Sequence, residues 1–139
     1  MGRGFFWVSH RLNKNAGKAE IKASELKQSE LMLLEDGHCL KDHILDACNI
    51  SSSTQYTLKA SSLNTLIQLV KGEMGTTLVP KMALRELIGN KDKLSISHLN
   101  EPGPHREIVL ITRPNFAGME SIGILINFFN RSLKEFNNI

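Results

Sequence analysis

The sequence contains only two cysteines, Cys39 and Cys48, which are too few for the disulfide-dense framework of a small secreted protein. Long apolar runs are missing as well, because no stretch approaches the roughly 20 consecutive apolar residues that span a bilayer. Residues 1–8 hold no apolar segment of signal-peptide length. We therefore expect a cytoplasmic protein without a membrane segment, in which any disulfide is transient because a reducing cytosol keeps thiols free.

A large excess of positive or negative charge is also missing. The chain has 17 Lys and Arg against 14 Asp and Glu, a formal net charge of +3, and acidic residues interrupt the basic ones near its start. A nucleic-acid-binding surface needs a denser basic stripe, so the charge is only a weak argument for one. No glycine-rich nucleotide-binding loop is present either. The 41% of hydrophobic and 22% of charged residues are typical of a soluble globular domain.

Segments typical of strands alternate with segments typical of helices. Strands are predicted at 5–8, 31–34, 56–58, 76–79 and 108–112, a helical turn at 24–27, and helices at 40–48, 63–70 and 122–136. The last helix has the clearest signal, since its apolar side chains recur on one face. These side chains are Ile122, Leu125, Ile126, Phe129, Leu133 and Phe136. The alternation predicts an α/β fold with a largely parallel sheet.

Cys39 follows a predicted turn and begins the short helix. The unpaired N–H groups and partial positive charge of a helix start stabilise a thiolate. His38 and Lys41 can add positive charge nearby, whereas Asp42 opposes it. A thiolate attacks peroxide to give a sulfenic acid, which a second thiol can capture as a disulfide. This position therefore suits a reactive thiol.

Cys48 lies nine residues further along and shares an apolar stripe with Leu40 and Ile44, which predicts that it is buried. Nine residues of continuous helix place two Cα atoms about 13.5 Å apart and on opposite faces. A disulfide needs Cα atoms within about 7 Å of each other. A bridge to Cys39 therefore requires residues 41–47 to unwind, which suits a two-state switch.

The residues alone leave three interpretations of the cysteines open. Buried free cysteines are most often small hydrophobic residues of the core. A redox role is the second interpretation. The third is metal binding by His38, Cys39, His43 and Cys48, but this set lacks paired CxxC spacing and is a weak zinc signal. We expect neither a metal nor a cofactor.

The segment Leu31-Met-Leu-Leu-Glu-Asp-Gly-His-Cys-Leu-Lys-Asp42, followed by Cys48, resembles the switch segment of OxyR-type hydrogen peroxide sensors. These sensors belong to the LysR-type transcriptional regulators. The resemblance covers about 5–136, and further blocks follow in the family's order at 59–66, 75–80 and 106–114. It implies an incomplete effector domain of the periplasmic-binding-protein-like type II fold.

The resemblance also implies a domain organisation for residues 1–139. About 12–106 would form the second effector subdomain, while 5–10 and about 107–139 would return to the first. The N-terminal helix-turn-helix is absent, so DNA would be bound only through that missing part. Homo-oligomers are expected of the intact family. The strand at 5–8 and the apolar face of the last helix should then pack on a subdomain that lies outside this sequence.

In the family the first cysteine reacts with hydrogen peroxide and the second resolves it, which implies these roles for Cys39 and Cys48. His38 and Arg106 would line the reactive thiol's pocket, with Lys41 and Asp42 beside them. Reduction would need a glutaredoxin- or thioredoxin-like partner. Because nothing in the chain regenerates the thiol, we expect a sensor rather than an enzyme.

The sequence departs from the family at three positions. Lys41 replaces an arginine, Thr57 replaces a histidine, and Glu73 stands where the glycine-rich turn often has its first glycine. Two other functions stay open beside the peroxide sensor. One is a LysR effector module that binds a small metabolite and has incidental cysteines, and the other is a free-standing thiol peroxidase.

Overall fold

The computed structural model describes residues 4–51, 58–89, 93–101 and 109–137. The chain forms two compact units, a larger one of Arg3–His105 and a smaller one of Arg106–Ile139 together with Met1–Gly2. The strands are β1 (Phe5–His10), β2 (Glu20–Ile21), β3 (Leu33–Leu34), β4 (Lys59–Ala60), β5 (Thr77–Pro80) and β6 (Leu94–Leu99). The helices are α1 (Cys39–Cys48), α2 (Leu63–Lys71), α3 (Lys81–Leu87) and α4 (Met119–Asn137), with short 3₁₀ turns at Ala23–Glu25 and Gln28–Glu30.

The larger unit is built on a four-stranded sheet in the order β2-β6-β1-β5. Its interior strand β1 runs antiparallel to both neighbours, pairing Val8 with Thr77 of β5 and with Ile96 of β6. Strand β2 is parallel to β6, and β3 and β4 form a separate parallel pair. The prediction of a largely parallel sheet was therefore wrong for β1. Alternation of strands and helices cannot give the direction of a strand that precedes the first helix.

Strand β1 lies inside the larger unit, where it hydrogen-bonds between β5 and β6. The expectation that 5–10 returns to another subdomain stays a prediction. Its side chains Phe5, Trp7 and Val8 are 5%, 2% and 0% exposed. An apolar run with two strand neighbours satisfies its backbone hydrogen bonds and buries both faces at once, which explains this position.

Helices α1 and α2 confirm the predictions made from apolar spacing. The hydroxyl oxygen of Ser62 caps α2 by accepting a hydrogen bond from the backbone N–H of Thr65 at 3.1 Å. Leu66, Ile67 and Val70 of α2 are at most 1% exposed and form part of the core. The helix therefore has both a defined start and a buried face.

The predicted strand at 108–112 was wrong for the residues that the structure describes. Residues 109–112 form no strand there, and Ile111 is 87% exposed. Apolar and β-branched residues form a strand only where a neighbouring strand supplies hydrogen bonds and packing. Ile108 lies outside the described residues, as do positions 56 and 57 of the predicted strand at 56–58. The strand described after them is β4, Lys59–Ala60.

The smaller unit contains α4, which confirms the predicted last helix. Many of its apolar side chains are exposed, including Ile124 at 69%, Phe128 at 63% and Phe129 at 51%. The side chain of Phe136 lies outside the described part. No described helix is both long and apolar enough to span a membrane.

Candidate functional site

The two cysteines are the first and last residues of α1. The helix follows a turn in which Gly37 has φ +93°. Residues other than glycine rarely adopt this left-handed backbone conformation. His38 is the extended residue before the helix, and its carbonyl accepts the Lys41 N–H at 2.9 Å. The helix is followed by Asn49, whose backbone is left-handed with φ 51°. Local backbone geometry thus fixes both ends of the segment.

The two thiols differ in their surroundings. Cys39 is exposed, whereas Cys48 is 8% exposed, which confirms its predicted burial. Both cysteines are free, and a ten-residue helix separates their Cα atoms by about 13.5 Å. No direct bridge can form while α1 is intact.

Burial raises the pKa of the Cys48 thiol to about 11, and the negative charge of Glu101 acts in the same direction. At neutral pH Cys48 therefore stays protonated and is a poor nucleophile. Cys39 has the access that a reactive thiol needs. The arrangement separates an accessible thiol from a protected one on a single helix.

Lys41, which the sequence predicts to add positive charge near the thiol, forms an ion pair with Asp36. Its side chain is 9% exposed, and its ammonium donates a hydrogen bond to Asp36 Oδ1 in the turn before the helix. The other oxygen, Oδ2, accepts a hydrogen bond from Lys59 Nζ of β4 at 3.1 Å. Lys41 and then Lys59 lower the pKa of Asp36. Sequence reasoning missed this network, because no local pattern links Asp36 to Lys59.

Of the three other predicted pocket residues, the structure describes two. His38 and Asp42 are exposed at the start of α1, and His38 makes no side-chain capping hydrogen bond. Arg106 lies outside the described residues. The structure therefore places His38 and Asp42 beside Cys39 along the chain, commits Lys41 to Asp36, and leaves Arg106 as an expectation.

His43 is a further feature that the sequence did not single out for a redox role. It lies four residues after Cys39, and residues at that spacing are neighbours on one helix face. Its Nδ1 atom is buried and has no hydrogen-bond partner among the residues that the structure describes. Among the described residues no group of three or more His, Cys, Asp or Glu could hold a metal ion. The four-residue set considered for zinc is thus not brought together.

A cavity of about 350 Å³ lies at the C-terminal end of β1. His10 is 9% exposed there, and its Nδ1 accepts the Leu12 N–H at 3.3 Å and lies 3.8 Å from Glu73 Oε1. The lining residues are His10, Leu12, Asn13, Glu30, Glu73, Met74 and Gly75. None of the predicted site residues lines it.

Comparison with known proteins gives one family for this fold and site. Residues 5–134 match the family model of the LysR substrate binding domain. The HTH-type transcriptional regulator EstR of Acinetobacter baylyi is 38% identical over 91% of this chain and 42% of its own length. A probable hydrogen peroxide-inducible genes activator of Streptomyces viridosporus is 36% identical over 73% of this chain and 33% of its own.

A solved structure of a hydrogen peroxide regulator also matches this chain. It is a cysteine-to-serine variant of OxyR from Corynebacterium glutamicum with hydrogen peroxide bound, and its TM-score is 0.61 at 36% identity. The match covers 70% of this chain and 31% of that one. The chain thus spans about a third to two fifths of the length of these three proteins.

Proposed function

The chain belongs to the LysR substrate-binding domain family, and on that premise we propose that it is part of the regulatory domain of a transcription regulator that responds to hydrogen peroxide. The periplasmic-binding-protein-like fold expected from the sequence is confirmed by the family match and by the OxyR regulatory domains among the solved structures. The observation that carries the proposal is the exposed Cys39 and the buried Cys48 at opposite ends of one helix. A relative named as a peroxide-inducible activator supports it.

The proposed chemistry oxidises two thiols and reduces one peroxide. The Cys39 thiolate attacks one oxygen of hydrogen peroxide, the O–O bond breaks, and the departing hydroxide takes up a proton to leave as water. The Cys48 sulfur then attacks the sulfenic sulfur of Cys39, which releases a second water and forms the disulfide. The second step requires residues 41–47 to leave the helical conformation, because the helix holds the sulfurs too far apart. The disulfide form is the signalling state.

The supporting roles follow from the same proposal. His38 and Asp42, at the start of α1, would shape the surroundings of Cys39, and Arg106 would join them as the resemblance implies. A glutaredoxin- or thioredoxin-like dithiol would return the protein to the reduced form by thiol–disulfide exchange. We expect the oxidised form to persist as a signal until that separate protein reduces it, so the domain would act as a regulator rather than as an enzyme of sustained turnover.

The whole protein's assembly also belongs to the proposal. The matched relatives are a little over twice as long as this chain, so they extend well beyond the matched segment. We expect the exposed apolar side chains of α4 to pack on the part of the regulatory domain that lies outside the matched segment. Homo-oligomers and DNA binding would likewise depend on the longer protein.

A thiol count combined with mass mapping tests the proposal. Free thiols are counted in the full chain before and after a few equivalents of hydrogen peroxide, and any new bridge is mapped by peptide mass. We expect two thiols to disappear together and a Cys39–Cys48 peptide to form. Thiols that stay free under these conditions would contradict the proposal, whereas sustained peroxide consumption with a dithiol reductant would indicate a peroxidase.

A second candidate function rests on the match to EstR, which covers 91% of this chain and whose name does not refer to peroxide. In that case the domain would bind a small metabolite, and its cysteines would be structural. Burial of Cys48 alone is compatible with that alternative. The exposed Cys39 at a helix start is not explained by it, so the peroxide sensor is the better-supported function.

A further inference from the structure

Asp36 links three pieces of chain around the start of α1. It lies in the turn before the helix, and its carboxylate pairs with Lys41 of α1 and with Lys59 of β4. The three side chains differ greatly in exposure: 73% for Asp36, 43% for Lys59 and 9% for Lys41. The carboxylate is therefore the accessible partner of a nearly buried ammonium group.

Lys41 is also the first residue of the segment that must unwind before a disulfide can form. A buried ammonium without a partner is strongly unfavourable, because it loses its hydration and gains no opposite charge. While the helix is intact, Asp36 supplies that charge from the preceding turn. Unwinding the first turns of α1 moves Lys41 relative to Asp36, so the ion pair opposes unwinding.

We propose that the ion pair of Asp36 and Lys41, braced by Lys59, is a latch that holds α1 in its reduced conformation and sets how strong an oxidant is needed to close the Cys39–Cys48 disulfide. This inference rests on the proposed function of the two cysteines. The lysine that replaces the family's arginine at position 41 is thereby assigned to the conformational equilibrium of the helix rather than to the peroxide pocket.

The exposure of the two side chains decides how strongly an ion pair stabilises the helix. The pair of Lys27 and Glu30 has a similar chemistry, at 2.7 Å, but its side chains are 48% and 40% exposed. Exposed pairs of that kind contribute little to stability. Because Lys41 is nearly buried, loss of its only carboxylate partner in the latch leaves a desolvated charge, and the effect should be clearly larger. The two pairs thus form a matched comparison within one chain.

The redox equilibrium of the full 139-residue chain with glutathione tests the latch. Two protein thiols and one glutathione disulfide exchange for one protein disulfide and two glutathione thiols. In Asp36→Asn we expect the equilibrium constant for bridge formation to rise about tenfold, which lowers the two-electron midpoint potential by about 30 mV. Glu30→Gln removes one negative charge from the exposed pair and should stay within about twofold of the wild type.

Two further variants show whether the effect passes through the ion pair. Lys59→Gln removes only the brace. It should raise the equilibrium constant for bridge formation less than Asp36→Asn does. Lys41→Met replaces the buried ammonium with an apolar chain, and in that background Asp36→Asn should have no further effect. An unchanged equilibrium in Asp36→Asn, an equal change in Glu30→Gln, or a full Asp36→Asn effect on top of Lys41→Met would overturn the latch.

Hydrogen exchange of the reduced protein separates the latch from the proposed function. Backbone amides of 41–47 should exchange about tenfold faster in Asp36→Asn than in the wild type, and Glu30→Gln should match the wild type. If exchange does not change, the latch is wrong even if the disulfide forms. If exchange changes but no variant forms a Cys39–Cys48 bond, the ion pair does hold the helix and the proposed peroxide switch is wrong.

Discussion

Cys39 and Cys48 begin and end the same helix, yet one thiol is exposed and the other is 8% exposed. Nine helical residues keep their Cα atoms about 13.5 Å apart, roughly twice the distance that a disulfide tolerates. The helix therefore does two things at once. It places one sulfur in solvent and the other in the core, and it keeps them apart until its own hydrogen bonds break.

The first prediction concerns this asymmetry of the thiols. Cys39→Ser should abolish reaction with hydrogen peroxide, since the remaining thiol is buried and protonated. Cys48→Ser should still allow Cys39 to form a sulfenic acid, which persists or is over-oxidised because no thiol resolves it. A dimedone adduct identified by peptide mass measures both results. Loss of reactivity in Cys48→Ser alone would show that the roles are reversed.

The second prediction is the pH dependence that goes with Cys48. Burial raises its pKa from an ordinary 9.0 to about 11, so its thiolate fraction at neutral pH is about a hundredfold lower than that of a free thiol. In Cys39→Ser, the rate of alkylation by iodoacetamide should therefore keep rising up to about pH 11. A rate that levels off near pH 9 would mean that Cys48 is solvated.

The same shift has a consequence for stability. A group whose folded pKa is raised contributes stability below its unfolded pKa and loses it as the pH rises through the folded value. The free energy of unfolding should therefore fall between pH 9 and about 11 more steeply in the wild type than in Cys48→Ala. Urea unfolding of both proteins at a series of pH values measures the difference.

Local signals were enough to predict α1 and α2. The apolar stripe that contains Cys48 predicted both a helix and the burial of that thiol, and apolar spacing predicted α2, whose start Ser62 caps. Caps and apolar spacing act within a few residues, so one sequence contains them in full. The positions of both candidate redox residues were predictable for the same reason.

Features that depend on distant residues could not be predicted in this way. Strand β6 was missed, although Ile96 pairs with Val8, because that pairing joins residues far apart in the sequence. The link from Asp36 to Lys59 was missed for the same reason. Lys41 was expected to add charge near the thiol because it is close in sequence, and its ion pair with Asp36 of the preceding turn was not foreseen.

The third prediction concerns His43, whose Nδ1 atom is buried and has no hydrogen-bond partner in the described part of the chain. A buried unsatisfied polar group costs about 1–3 kcal/mol, so His43→Leu should raise the free energy of unfolding by about 1 kcal/mol. Gln68→Leu introduces the same side chain at an exposed position of α2 and should change stability by less than about 0.5 kcal/mol. Urea unfolding of the reduced proteins measures both, and a destabilised His43→Leu would show that the imidazole has a partner in solution.

The fourth prediction concerns Gly75, where the chain passes very close to its neighbours. A Cβ atom at this position would lie 2.5 Å from the carbonyl oxygen of Glu30 and 3.1 Å from Cγ of Met32. Gly75→Ala should therefore destabilise the larger unit by about 1–3 kcal/mol, because backbone must move to admit the methyl group. At Gly72 the nearest atom would be 3.5 Å away, so Gly72→Ala is the matched control and should be close to neutral in urea unfolding. Equal stability of the two variants would contradict the close contact.

The fifth prediction is the acid sensitivity of the start of α1. Lys41 and then Lys59 lower the pKa of Asp36 below its ordinary 3.8. A group with a lowered folded pKa contributes its stability above the unfolded pKa and loses it as the pH falls through the folded value. Amides of 41–47 should thus be better protected in the wild type than in Asp36→Asn at pH 6, and the difference should shrink as the pH falls below 3.8. Hydrogen exchange, corrected for the intrinsic rate at each pH, measures this, with Glu30→Gln expected to follow the wild type throughout. A difference that stays constant at acid pH would show that the carboxylate charge of Asp36 does not hold the helix.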